Sequence, residues 1–197
     1  MNRLTIGLLV LALAMTSSGR VDAARVQWPG NGHWYEAVNA EYNLTWFEAR
    51  NAAIGKGGYL ASIGSEAENE FVFSLIDDDE FWVFGQGGYV PAAWGPWLGG
   101  YQPTGSAEPD GGWTWVSGDP WDYTNWDRGQ PDNNTGAEHY LQFHSIDGVR
   151  ASTWNDWRVM HVDLGPHAYV VEYVPEPTSL ALAALGLMGV ACCWRRR

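Results

Sequence analysis

The chain has 197 residues, 11 basic against 23 acidic, a formal net charge of −12, and 13 tryptophans. Such acidity excludes nucleic acid and anionic lipid as natural partners and favours divalent cations and neutral ligands, while the aromatic content excludes a disordered acidic chain. The only cysteines, Cys192 and Cys193, lie near the C-terminus, so the body of the chain has no thiol to bridge.

In chain order, Arg3, the apolar run Ile6 to Met15 and the small-residue site Val21-Asp22-Ala23 predict a secretory signal peptide over residues 1–23. The stretch that follows, residues 24–174, is about 150 residues long, the size of one domain with its own core. Between Ala24 and Tyr173 six basic residues (Arg25, Arg50, Lys56, Arg128, Arg150, Arg158) face 21 acids, a net of −15, and 12 of the 13 tryptophans fall here.

His33 to Val38 predicts an opening strand. Thr45 and Glu48 have the spacing of a capping box, and Trp46, Ala49, Ala53 and Ile54 then predict one apolar helix face ending at Gly55. Ser65 and Glu68 predict a second capping box, opening a helix with Phe71, Val72, Leu75 and Ile76 on one side. Four acids, Asp77 to Glu80, stand at the end of that helix, where the macrodipole disfavours them; they read as a solvated loop or a weak cation site. The stretch from Asp77 to Pro96 reads as a long loop. Thereafter Gly-Gly pairs and prolines separate short aromatic runs: Trp97-Leu98, Trp113 to Val116, Tyr140 to Phe143 and Ala168 to Tyr173. These are strand and turn signals, and helices first with antiparallel strands after them predict an α+β domain.

The residues with the clearest chemistry are Gln130-Pro131-Asp132, Glu138 and Asn155-Asp156. Five oxygen-bearing side chains without histidine or cysteine are a donor set for a hard cation, and Ca²⁺ takes six to eight such oxygens. Three carboxylates against a divalent ion leave about −1, and the two amides add ligands without repulsion. A cis bond at Pro131 is a way to aim the side chains of Gln130 and Asp132 at one point, and Trp154 is placed to anchor a strand beneath Asn155 and Asp156.

With these residues stated, the chain resembles the C-type lectin domain over roughly Trp28 to Val174. His33 to Ala53 (HWYEAV…TWFEARNAA) is similar to the family's first strand and helix, Gly57 to Val72 (GGYLASIGSEAENEFV) to its second helix, and Trp97 to Gly100 (WLGG) to its core strand. Trp113 to Trp126 is similar to the segment leading into its binding loop. The resemblance implies a C-type lectin-like fold and places Gln130, Asp132, Glu138, Asn155 and Asp156 on the family's calcium site for sugar. There, two vicinal hydroxyls coordinate the ion, donate to carboxylate ligands and accept from amide ligands, which hydroxyls can do at once. Calcium is thus the implied cofactor, carbohydrate the implied partner, and the chain is implied not to be an enzyme. The order amide-Pro-acid, Gln130 then Asp132, is the one the family associates with galactose.

Two departures stand out. Galactose-type members place a tryptophan two residues after the aspartate, where this chain has Asn134. The usual two disulfides are also missing: Ala53 and Val171 stand at one pair of positions, Tyr140 and Val159 at the other. Asn133 and His139 follow two of the acids, which weakens a second ion site. Two other readings stay open. One is a surface module of the same fold that binds protein or nothing; the other is a glycosidase using Glu138 and Asp156 as its acid pair.

The C-terminus reads as an address. Pro175, Glu176 and Pro177 precede a 16-residue apolar run, Ser179 to Trp194, and Arg195, Arg196 and Arg197 close it. That run is short of the ~20 residues that span a bilayer. The order resembles the PEP-CTERM sorting signal over residues 175–197, which implies a transient membrane stage, processing by an exosortase, and delivery to the cell surface or extracellular matrix.

Overall fold

The computed structural model describes residues 24–85, 91–159 and 165–175. The expected signal peptide, and Glu176, Pro177, the apolar run and Arg195 to Arg197 of the expected sorting signal, lie outside the described residues. Among the described residues no helix is long and apolar enough to cross a membrane.

The elements follow the order β1 (Val26–Gln27), β2 (Trp34–Asn39), α1 (Trp46–Gly55), β3 (Tyr59–Leu60), α2 (Glu66–Ser74), β4 (Val83–Phe84), β5 (Ala93–Tyr101), β6 (Thr114–Trp115), β7 (Glu138–Ser145), β8 (Trp154–Arg158) and β9 (Ala168–Tyr173). Short 3-10 turns occur at Asp79–Phe81 and Asn134–Gly136. The sheet runs β1-β2-β9-β5-β7-β8, with β3 on β9 and both β4 and β6 on β5. Every pairing is antiparallel except the single contact of β5 with β9 at Trp97 and Tyr169. This is the expected α+β architecture.

Local chemistry explains the helices. At α1 the Thr45 hydroxyl accepts from the Glu48 N–H while the Glu48 carboxylate accepts from the Thr45 N–H at 2.8 Å, the complete capping box. Trp46, Ala49 and Ala53 are buried, but Ile54 is 53% exposed. Eight residues on at ~100° each, Ile54 sits about 80° round the helix from Trp46 and misses the buried stripe. At α2 only half of the predicted box forms. Ser65 caps the Glu68 N–H, whereas the Glu68 carboxylate turns inward to the Gly64 N–H at 2.7 Å and to Asn31 and Tyr35. Val72 and Ile76 are fully buried, the latter just beyond the helix end.

The stretch expected as a long loop from Asp77 to Pro96 is partly ordered. Val83 and Phe84 pair with Trp94 and Ala93, so β5 starts four residues before Trp97. Asp77 to Glu80 is exposed, as expected of a solvated loop, and Arg150 pairs with Asp77 and Asp79. Gly99 allows close packing, because a Cβ there would lie 2.4 Å from the Leu60 carbonyl oxygen.

Tryptophans tie together what disulfides do not. The indole N–H of Trp46 donates to the Leu98 carbonyl (2.8 Å), that of Trp97 to Leu44 (2.9 Å) and that of Trp154 to Asn69 Oδ1 (2.8 Å). Ala53 and Val171, which stand at one expected cysteine pair, are fully buried in the same apolar cluster. Large buried side chains of this type each contribute about 1.5–3 kcal/mol of transfer free energy, comparable with the ~2–4 kcal/mol of one bridge.

Candidate functional site

The site is built on Trp154. Its ring is fully buried and meets those of Trp115, Trp121, Tyr123 and Trp126. Its backbone takes the incoming segment: Trp154 N–H donates to Asn125 and its carbonyl accepts from Asp127, both at 2.8 Å. Asp127 then closes the other side, accepting from Ile146 N–H at 2.6 Å and pairing with His144 at 2.8 Å. Burial lowers the pKa of His144, although Asp127 opposes the shift. The loop from Asp127 to Gly136 is therefore pinned at its base by buried aromatic packing. Strand β8, which carries Asn155 and Asp156, is registered against β7, with Leu141 opposite Asp156 and Gln142 opposite Asn155.

The predicted residues come from three neighbouring stretches: Gln130 and Asp132 from the pinned loop, Glu138 from the start of β7, and Asn155 and Asp156 from β8. The Gln130–Pro131 bond is cis. Ligand-type oxygens of Asp132, Glu138 and Asp156 lie within 4.8 Å of one another. Asp156, Glu138 and Asn155 are buried at 0%, 1% and 3% exposure, with Asp132 at the exposed rim.

Backbone donors set the loop's shape. Asp156 accepts from the N–H of Asp132 at 3.1 Å and of Asn133 at 2.7 Å. The Asn134 N–H serves Asp132 at 3.2 Å and Glu138 at 3.1 Å, and the Asn133 side chain accepts from the Glu138 N–H at 3.1 Å. Asn133 and Thr135 hold left-handed backbone at φ 44° and 62°, which asparagine tolerates better than most residues. Position 134, where a stacking tryptophan was looked for, helps close the loop through its backbone.

Three of the five candidate side chains keep an acceptor without a donor, as does Gln142 opposite Asn155. Gln130 Oε1, Glu138 Oε1 and Asn155 Oδ1 are buried and accept no hydrogen bond. Arg158 comes no nearer than 3.9 Å to Glu138. An unpaired buried acceptor costs roughly 1–3 kcal/mol, more when charged. The electrostatics agree: burial first, then the Asp156 charge, pushes the Glu138 carboxyl up to about 8. Burial likewise raises Asp156, against the pull of its two backbone donors. Three converging acids with unfilled oxygens fit a hard divalent cation, and the amides of Gln130 and Asn155 are further oxygen donors of the type such an ion takes. The absence of sulfur or imidazole from the set disfavours softer metals.

A second acidic cluster lay outside the sequence reading. Glu172 in β9 and Glu68 in α2 are buried and share the Tyr35 hydroxyl, which donates to Glu68 and, at 3.2 Å, to Glu172. His33 Nδ1 lies 2.5 Å from Glu172 Oε1, the Ser62 N–H donates to Oε2 at 2.9 Å, and Asn31 donates to Glu68 at 2.9 Å. An acid inside the otherwise apolar run AYVVEY was the available signal.

The arrangement agrees with what comparison with known proteins finds. Residues 42–160 match the family model described as the Lectin C-type domain, and residues 174–197 match the PEP-CTERM protein-sorting motif. The chain is 31% identical over 112 residues to ladderlectin of Oncorhynchus mykiss, covering 57% of this chain and 50% of that protein. It is likewise 31% identical over 114 residues to the galactose-specific lectin nattectin of Thalassophryne nattereri, covering 58% and 60% respectively. It thus spans half to three fifths of those two relatives. Among solved structures, the C-type lectin CEL-I from Cucumaria echinata superposes with a TM-score of 0.56 at 25% identity, covering 81% of this chain and all of that one (100%). A calcium-independent type II antifreeze protein shares the fold at a TM-score of 0.52 and 21% identity, covering 77% of this chain and 96% of its own. The chain belongs to the C-type lectin domain family and carries a PEP-CTERM sorting motif at its C-terminal end.

Proposed function

We propose that this domain binds carbohydrate through one Ca²⁺ held by Gln130, Asp132, Glu138, Asn155 and Asp156. The observation that carries the reading is the convergence of three carboxylates, Asp132, Glu138 and Asp156, together with buried acceptors on Gln130, Glu138 and Asn155 that take no hydrogen bond. The ion would offset two of the three negative charges and accept two sugar hydroxyls as further ligands. Asp132 and Glu138 take hydrogen bonds from the hydroxyls, and the amides of Gln130 and Asn155 donate to them. Amide before acid around Pro131 favours galactose-type stereochemistry, in keeping with the resemblance to a galactose-specific lectin. Affinity for one monosaccharide in so shallow a site is of order mM, so adhesion would draw on many copies.

The sorting motif supports an exported protein processed at the membrane. We extend this to a signal peptide over 1–23, a lectin domain over 24–174, and removal of residues 175–197 by an exosortase, leaving the domain at the cell surface or in the extracellular matrix. A glycosidase reading is disfavoured because both Asp156 oxygens accept backbone N–H groups, leaving it ill placed as a general acid or base. A glycan array read in calcium and again in chelator tests the proposal. Galactose-type binding lost in chelator is the expected result; calcium-insensitive binding, or none, contradicts it.

A further inference from the structure

Each of five basic side chains in the domain faces a carboxylate. Lys56 lies 2.7 Å and Arg25 3.7 Å from Glu36, Arg128 3.5 Å from Asp147, Arg150 2.7 Å from Asp77, and Arg158 3.9 Å from Glu138. Arg50 alone has no acidic partner among the described residues. It projects from α1 and lines a groove of about 380 Å³ with Trp46, Phe47, Tyr101, Gln102 and Tyr140. No acid lines that groove, whereas the one alongside β2 is lined by Glu36, Glu41, Glu48 and Glu80. On a domain of net charge −15 this is a locally cationic recess.

The aromatic wall of the groove is packed ring on ring. Trp46 and Tyr140 have ring centroids 4.9 Å apart, Phe47 and Tyr140 5.3 Å, and Trp46 and Tyr101 5.6 Å. The Trp46 indole is fixed by its bond to Leu98, while Phe47 is 48% exposed, a large apolar face left in water. An aromatic face beside a guanidinium matches a pyranose that carries a carboxylate: ring C–H groups lie on the aromatic face, and the planar fork of arginine pairs with the carboxylate. The groove neighbours the candidate ion site: Tyr140 of its wall lies two residues after Glu138 on β7, across a register irregularity, and pairs with Tyr101.

We propose that this groove is a second glycan subsite, selective for an acidic sugar of the uronate type, so that the ligand is an acidic oligosaccharide contacting both the groove and the ion. The two-point engagement rests on the carbohydrate reading above; the groove's own preference for a uronate requires no metal.

The test titrates purified protein with a tetrasaccharide ending in glucuronate and with its glucose-ended counterpart, in calcium and in EDTA. Affinity and the NMR signals of Phe47 and the Trp46 indole are followed. The acidic ligand should bind about 5-fold more tightly in both buffers, the effect of one partly exposed ion pair, and should shift those signals. Arg50→Gln should abolish the preference, and Phe47→Ala should weaken both ligands. Arg150→Gln, a cation outside the groove, should leave the preference in EDTA untouched. Equal affinity for the two sugars, an Arg50→Gln protein that still discriminates, or perturbation by a Glu-rich peptide but not by the uronate overturns the subsite. Loss of the calcium response with the EDTA preference intact overturns the ion reading and leaves the groove standing.

Discussion

The two buried acid clusters differ in how their charge is met. At Glu68 and Glu172 the protein supplies the donors itself, from Tyr35, Asn31, His33 and the backbone of Ser62 and Gly64. At Asp132, Glu138 and Asp156 the backbone supplies a few and then stops, leaving oxygens on Gln130, Glu138 and Asn155 without partners. Burial raises both Glu172 and Glu138; at Glu172 the Ser62 N–H and His33 oppose it, whereas at Glu138 the charge of Asp156 adds to it and the Asn134 N–H and Arg158 oppose it. The lesson is that buried acids alone do not make a ligand site; the distinguishing mark is a deficit of donors.

The largest expected effect breaks this comparison through pH. A carboxyl held at about 8 in the folded state, against an ordinary 4.5, binds its proton more tightly folded than unfolded. Its contribution to stability is therefore fully present below 4.5 and lost as pH rises to about 8. In chelator, stability should fall across that window by at most about 5 kcal/mol from this group, and Glu138→Gln should flatten the fall. Urea midpoints at several pH values measure it. With calcium present the order reverses: the ion displaces the proton, so calcium affinity should weaken as pH falls below 8.

Next in size is the closed cluster. Burial and the neighbouring acids hold the Tyr35 phenol far above its ordinary range, so it remains a donor. Tyr35→Phe preserves the ring and removes that donor, and should cost about 1–3 kcal/mol. The loss should be equal in calcium and in chelator, as denaturant melts in the two buffers would read directly. A calcium-dependent loss would mean that the two clusters are not independent. The smallest effect belongs to the exposed acids. Arg150→Gln, which frees Asp77 and Asp79, should leave the melting curve and the calcium response within error of the wild type.

Much of this was legible in the sequence because it depends on neighbours in the chain. The Thr45 and Glu48 cap, the Gln130-Pro131-Asp132 turn and the Asn155-Asp156 pair are local signals, and the predicted acids Asp132, Glu138 and Asp156 converge. What stayed hidden depends on distant partners. Glu68 has the spacing of a cap residue, yet Asn31 and Tyr35, 37 and 33 positions away, draw it inward. The two-residue strands β1, β3 and β4 are too short to show alternation. That Arg50 has no acidic partner among the described residues is visible only once the other cations have been placed.

The most direct measurement is calorimetric titration of calcium into the purified protein at pH 7.5, with Glu138→Gln alongside. Uptake of one ion per chain, partial proton release and a rise in thermal stability, all lost in Glu138→Gln, is the predicted result. No binding at millimolar calcium, or equal binding by the variant, would contradict a donor-poor corner built to hold a cation.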